Sequence, residues 1–178
     1  MQSRYAGLML KSQDILVLLK LAGHPPSWTF DSSGHELGLS ASTVHRSLQR
    51  AAEAGLYDPK RRETVANALL EFLAHGLKYV FPPVWGGEAR GRPTAWGAPP
   101  LSDELLSSGN PPVWADAGGE ARGIHLEPLH PSVPDAARKD RVLWELLSLV
   151  DAIRIGNARE RALAVKKLEE RLYAPLPE

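Results

Sequence analysis

Ser42, Thr43, His45, Arg46, Gln49 and Arg50 lie close together in the chain; each can donate a hydrogen bond and none is acidic. Between them Val44 and Leu48 repeat at i, i+4, and Ala51 and Ala52 continue the apolar stripe. On a helix this spacing gives an apolar back, held against a core, and a polar front without carboxylates. Such a front suits the major groove of DNA, where each base pair presents its own pattern of donors and acceptors. The expected partner is therefore double-stranded DNA. Ser42, Thr43, His45 and Arg46 fall in the N-terminal half of the helix, where base contacts concentrate in helix-turn-helix proteins. Arg46 is the best placed to grip a guanine, while Gln49 and Arg50 fall at the edge of the face or on phosphate.

Other chemistry is poorly supplied. The six histidines are scattered, and only His125 and His130, with Glu127 between them, come close in sequence. On a strand, residues 125 and 127 share a face but 130 does not, so no metal site is assigned. There is no cysteine, which excludes disulfides and thiolate metal sites. No Gly-x-Ser-x-Gly elbow and no glycine-rich loop ahead of a Lys-Ser/Thr pair is present. We expect no enzyme, no catalytic residues and no cofactor.

The DNA-reading helix needs a scaffold. Ser40 is a good N-cap for a helix over about Ala41 to Ala54, and Gly38 supplies the turn before it. A first helix is expected from Ser12 to Ala22, burying Ile15, Leu16, Leu18, Leu19 and Ala22 and exposing Asp14 and Lys20. Gly23 and Pro25-Pro26 end it. Trp28-Thr29-Phe30 is expected to be a short extended segment, with Asp31 or Ser32 capping a second helix over about Ser33 to Leu37. Gly34 in that helix costs about 1 kcal/mol relative to alanine on propensity alone.

The run Glu36-Leu37-Gly38-Leu39-Ser40-Ala41-Ser42-Thr43-Val44-His45-Arg46, ending in Ala54-Gly55-Leu56, resembles the helix-turn-helix of bacterial winged-helix transcriptional regulators. The resemblance covers about residues 11–57. It implies a regulator, most simply a dimeric repressor, because one helix reads too few base pairs. Two features depart from the pattern. Ala52 stands where a larger apolar residue is usual, and Tyr57-Asp58-Pro59 reads as a turn into a further helix, Arg62 to His75, rather than a wing.

Beyond Gly76, Leu77 to Phe81 is expected to be a strand. Pro82-Pro83-Val84-Trp85 then recurs as Pro111-Pro112-Val113-Trp114, and Gly86-Gly87-Glu88-Ala89-Arg90-Gly91 as Gly118-Gly119-Glu120-Ala121-Arg122-Gly123. Each copy reads as strand, Gly-Gly turn and strand, predicting two related β-hairpins with both Val-Trp pairs as core anchors. The first hairpin has two readings: a displaced wing that brings Arg90 and Arg92 to DNA, or a hairpin that uses both arginines structurally. From Pro134 the chain turns helical. Val142, Leu143, Leu146, Leu147, Val150 and Ile153 give one periodic face, Gly156 a stop, and Asn157 with Glu160 a capping box for a last helix to about Tyr173. Asp151 and Arg154, at i, i+3, are expected to form a surface ion pair. With Arg159, Glu160 and Arg161 they offer, alternatively, a surface for an acidic partner.

The expected fold class is α+β, mainly α. It divides into a helix-turn-helix domain (1–76), a Pro/Gly-rich β region with two hairpins (77–134) and a C-terminal helical hairpin for dimerisation or partner binding (135–178). The 178 residues carry no net charge, but residues 1–62 hold eight Lys or Arg against five Asp or Glu, a balance of +3 on the DNA-reading part. No run approaches the length of a membrane span and no leader pattern opens the chain, so a cytoplasmic protein without a membrane partner is expected. A second function class is kept: an antitoxin that neutralises a partner protein such as a toxin and represses its own operon.

Overall fold

The computed structural model describes residues 9–23, 27–105 and 109–174. Helices α1 (Ser12–Ala22), α2 (Phe30–Leu37) and α3 (Ala41–Glu53) are followed by a hairpin of β1 (Tyr57–Asp58) and β2 (Glu63–Thr64). Next come α4 (Ala66–His75), a single helical turn α5 (Leu77–Val80), strand β3 (Trp85–Pro93), two short 3-10 turns, and strands β4 (Pro112–Ala115) and β5 (Ala121–Leu126). Helices α6 (Val133–Lys139), α7 (Arg141–Ile155) and α8 (Ala158–Leu172) complete an α+β fold that is mainly α.

The core is continuous across the chain. Ile15 to Leu19 of α1 are wholly buried, as are Leu149, Val150, Ala152 and Ile153 of α7, and all belong to one apolar cluster with Leu37, Val44 and Leu48. Helix α7 is covered by α1, α8 and the first 3-10 turn, which is where the surplus apolar surface of the C-terminal helices goes. The hairpin of α7 and α8 forms as its residues dictate: Asp140 caps α7 at Leu143 N, and Asn157 and Glu160 exchange their capping-box hydrogen bonds at 2.9 Å.

Two charges expected on the surface of α1 are buried instead. Asp14 is fully buried against Arg50, and Lys20 bridges Glu36 of α2 and Asp140 at the start of α7, the latter at 2.7 Å. Helix periodicity places both on the face away from Ile15 and Leu19, but α3 and α7 cover that face too. The Asp151–Arg154 pair is likewise interior. Asp151 accepts hydrogen bonds from Thr94 Oγ1, Trp114 Nε1 and Arg154 Nη1, each at 2.8 Å, while Arg154 also reaches the carbonyls of Phe81 and Pro82. Burial pushes the Asp151 carboxyl above its ordinary range, against the pull of Arg154.

Helix α2 starts earlier than expected. Thr29, not Asp31 or Ser32, is the N-cap, exchanging hydrogen bonds with Ser32, so Phe30 is helical rather than extended. Leu77 to Phe81 continues from α4 as a helical turn rather than a strand, because Gly76 keeps the right-handed conformation.

The β region corrects the expectation of two hairpins. Its three strands close on one another: β3 pairs antiparallel with both β4 and β5, and those two pair in parallel. Gly86 and Gly87 lie within β3, at a register shift, and make no turn. The duplicated glycines serve closure instead. A Cβ on Gly91 would lie 2.0 Å from the carbonyl oxygen of Trp114, and one on Gly123 1.9 Å from that of Pro111. The Val-Trp pairs also diverge: Trp114 is 1% exposed and anchored to Asp151, whereas Trp85 is 47% exposed.

The turn between α2 and α3 depends on a close approach. Gly38 sits at φ +68°, and a Cβ on Gly34 would lie 2.6 Å from the carbonyl oxygen of Leu39. Propensity favours alanine at position 34, but this contact opposes it. We therefore expect Gly34→Ala to destabilise the protein by about 1–3 kcal/mol, the usual cost of overpacking. Urea denaturation would measure it; a variant as stable as the parent would show that the turn can give way.

Candidate nucleic-acid interface

Helix α3 is held on its apolar side by Val44, Ser47, Leu48 and Ala51, all buried. Ser40 Oγ accepts from Thr43 N at 3.1 Å and fixes the start of the helix. That leaves Ser42, His45, Arg46 and Gln49 exposed on the opposite side, with Thr43 half-buried. Their states differ. The hydroxyls of Ser42 and Thr43 are drawn to Ser40 Oγ, at 3.0 and 2.8 Å. The His45 ring stands edge-on to Phe30, with centroids 5.2 Å apart. Arg46 and Gln49 have no side-chain partner among the described residues, and no carboxylate occurs on α3 before Glu53.

Arg50 does something else. Its Nε and Nη2 donate to the two oxygens of Asp14 at 2.8 and 2.6 Å, and its side chain is only 12% exposed. Asp14 also accepts from Lys11 N, and the same Arg50 Nη2 reaches Ser47 Oγ at 3.3 Å. The hydrogen bond to Asp14 raises the guanidinium pKa further above its ordinary value. This bidentate pair ties α3 to α1, so Arg50 fixes the angle of the helix and is not available to phosphate.

Arg90 and Arg92 are also committed. Arg90 Nε donates to the carbonyl of Gly119 at 2.7 Å, and the Arg92 guanidinium stacks on Trp144 at 4.7 Å. Trp144 in turn donates to the carbonyl of Pro93 at 2.9 Å. Both arginines brace the three-stranded sheet and its seat on α7, which is the structural reading of the two given above. The hairpin that follows α3 is β1–β2, in register Tyr57 with Thr64 and Asp58 with Glu63. The expected turn and helix over these residues is thus a hairpin, and α4 starts only at Ala66.

This hairpin brings forward residues that were not singled out as contacts. Lys60 and Arg61 are exposed at its tip. Asp58 Oδ1 accepts from both of their backbone N–H groups, at 2.8 and 3.2 Å, which shapes the turn and holds the Asp58 carboxyl below its ordinary range. Arg62, at φ +58°, is locked in place: it lies over the Trp28 ring at 4.5 Å, donates to the Trp28 carbonyl, and accepts from Trp28 Nε1 through its own carbonyl. Thr64 Oγ1 donates to the carbonyl of Leu18, pinning the hairpin to α1. Burial between Trp28 and the core raises the Tyr57 pKa. A shaped tip with Lys60 and Arg61 exposed thus follows α3 directly, Arg61 pairing with Glu63 at 3.3 Å. The sequence signal for it was Asp58-Pro59 ahead of three basic residues.

The histidines considered for a metal have other partners. His125 Nδ1 accepts from Ala115 N at 3.1 Å, and His130 Nδ1 accepts from Ser132 N at 3.2 Å. Among the described residues no group of three His, Asp or Glu side chains is arranged to hold an ion, and no helix is long and apolar enough to cross a membrane. No family model matches the chain, and neither the curated proteins nor the solved structures give a match.

Proposed function

We propose that this chain is a sequence-specific, double-stranded DNA-binding transcriptional regulator that works in the cytoplasm as a homodimer and carries out no catalysis. One observation carries the reading: the exposed side of α3 presents Arg46 and Gln49 without side-chain partners among the described residues and with no carboxylate on the helix before Glu53, and the Lys60–Arg61 tip follows it at once. In this reading α3 enters the major groove, Arg46 and Gln49 read base edges, and Ser42, Thr43 and His45 make shorter-range contacts. Lys60 and Arg61 lie on phosphates. The resemblance of residues 11–57 to winged-helix regulators supports the same arrangement, as does the β1–β2 hairpin in the place where those regulators carry a wing.

The test is fluorescence anisotropy with the DNA upstream of the chain's own gene, against scrambled DNA, across a salt series. Tight and selective binding with a steep salt slope supports the reading; equal, weak binding to both DNAs at every salt concentration opposes it. Within that experiment the double variant Lys60→Ala, Arg61→Ala should flatten the slope of log K against log salt by about 1.8, since each neutralised phosphate contributes about 0.9. Its preference for the correct sequence should stay unchanged. A preserved slope would remove the hairpin tip from the interface.

A further inference from the structure

We infer that the cleft between α4–α5 and α8 is a docking groove for an acidic amphipathic helix of a partner protein. The cleft has a volume of about 550 Å³ and is lined by Ala74, His75, Lys78 and Tyr79 on one side and by Ala158, Arg161, Ala162 and Val165 on the other. Its polar groups are His75, Lys78, the Tyr79 hydroxyl and Arg161, and none of the lining residues is an Asp or Glu. No described carboxylate pairs with His75, Lys78 or Arg161, although ion pairs occupy most of the other arginines and lysines of the C-terminal helices. Glu160, next to Arg161, is turned back to Asn157 N as a helix cap.

Arg161 is only partly used by the fold. Its Nη2 donates to the carbonyl of Gly156 at 3.1 Å, while Nε is buried and has no partner. A buried N–H of this kind is costly unless an acceptor reaches it. Lys78 lies along the Tyr79 ring, 4.8 Å from its centroid. The cleft therefore offers positive charge with no carboxylate partner among the described residues.

The apolar part decides what kind of anion fits. Ala158, Ala162 and Val165 recur at helical spacing, and the small side chains of the two alanines let a second helix approach closely. Tyr79 is 74% exposed, and the chain that leaves it carries Val80, Val84 and Trp85, all exposed. Nucleic acid would leave these groups without a match. A helix with leucine-type anchors on one face and carboxylates beside them satisfies both parts, the anchors over Ala158, Ala162 and Val165 and the acids towards His75, Lys78 and Arg161.

The experiment uses the full chain and a fluorescein-labelled helical peptide of about 18 residues, long enough for five turns, with leucines at i, i+3, i+4 and i+7 and glutamates elsewhere. Saturable binding that weakens about tenfold in Lys78→Glu and at least as much in Ala162→Arg is the expected result. Ala162 is exposed, so an arginine there blocks the groove without entering the core, and circular dichroism checks that both variants are folded. Four results would overturn the inference. They are no binding, binding that neither variant weakens, equal binding of a peptide with lysine in place of glutamate, and displacement of the peptide by random duplex DNA. Self-association of the free protein that Ala162→Arg abolishes would also overturn it, by making a second copy the occupant. Apart from the displacement by duplex DNA, none of these outcomes depends on whether α3 binds DNA.

Discussion

Arg50→Ala should lower the stability of the protein by about 3–5 kcal/mol, because it strands the Asp14 carboxylate in the core. For a chain of this size that is a fall in Tm of about 6–20 °C. Asp14 has no exposure and three hydrogen bonds, two of them from Arg50 and one from Lys11 N, so the variant removes two of its three partners. The reciprocal variant Asp14→Ala should cost less, since Arg50 is already partly exposed and can swing its charge outward. The double variant should then be more stable than Arg50→Ala alone, as expected where much of the penalty is an unpaired charge rather than a lost attraction. Thermal denaturation of the three variants measures all of this. If Arg50→Ala keeps the parental Tm but loses DNA affinity, the assignment of Arg50 to the scaffold is wrong and it belongs on the DNA face after all.

The second prediction concerns the neighbour one turn earlier. Arg46→Ala should weaken binding to the cognate DNA by about 1–3 kcal/mol if the guanidinium grips a guanine through two hydrogen bonds. The loss should fall mainly on the correct sequence, so that discrimination at one base position collapses while scrambled DNA binds almost as before. Stability should not change, because Arg46 is exposed and its side chain makes no hydrogen bond or ion pair among the described residues. Anisotropy with the parental site and with single-base variants of it reads both quantities. Equal weakening on every sequence would make Arg46 a phosphate contact, and no weakening at all would take it off the interface.

These two arginines show what residues 41–54 reveal and what they hide. The helix, its Ser40 cap, the Gly38 turn and the Val44–Leu48 back are all local features, written in residues no more than four apart, and they form as read. The Asn157–Glu160 capping box was legible for the same reason. Whether Arg46 or Arg50 is spoken for is not local: the answer lies in Asp14, 36 residues away from Arg50. Lys20 poses the same problem with Asp140, 120 residues distant. The β1–β2 hairpin escaped because its strands are two residues each, too short to display alternation. The Gly-Gly pair of β3 misled because glycine serves turns and close strand approaches equally well, and only the positions of Trp114 and Pro111 distinguish the two uses.

The buried Lys20 has one more consequence. Its ammonium joins α1, where it resides, to Glu36 in α2 and to Asp140, whose other oxygen caps α7. Separating α1 from α7 would break the Lys20–Asp140 ion pair, and separating α1 from α2 would break the Lys20–Glu36 pair. Either opening would also expose apolar side chains of α1, whose Ile15 to Leu19 share one cluster with residues of α2, α3 and α7. We therefore expect the chain to melt as one cooperative unit, with α3 sharing the global stability rather than that of a small detachable module.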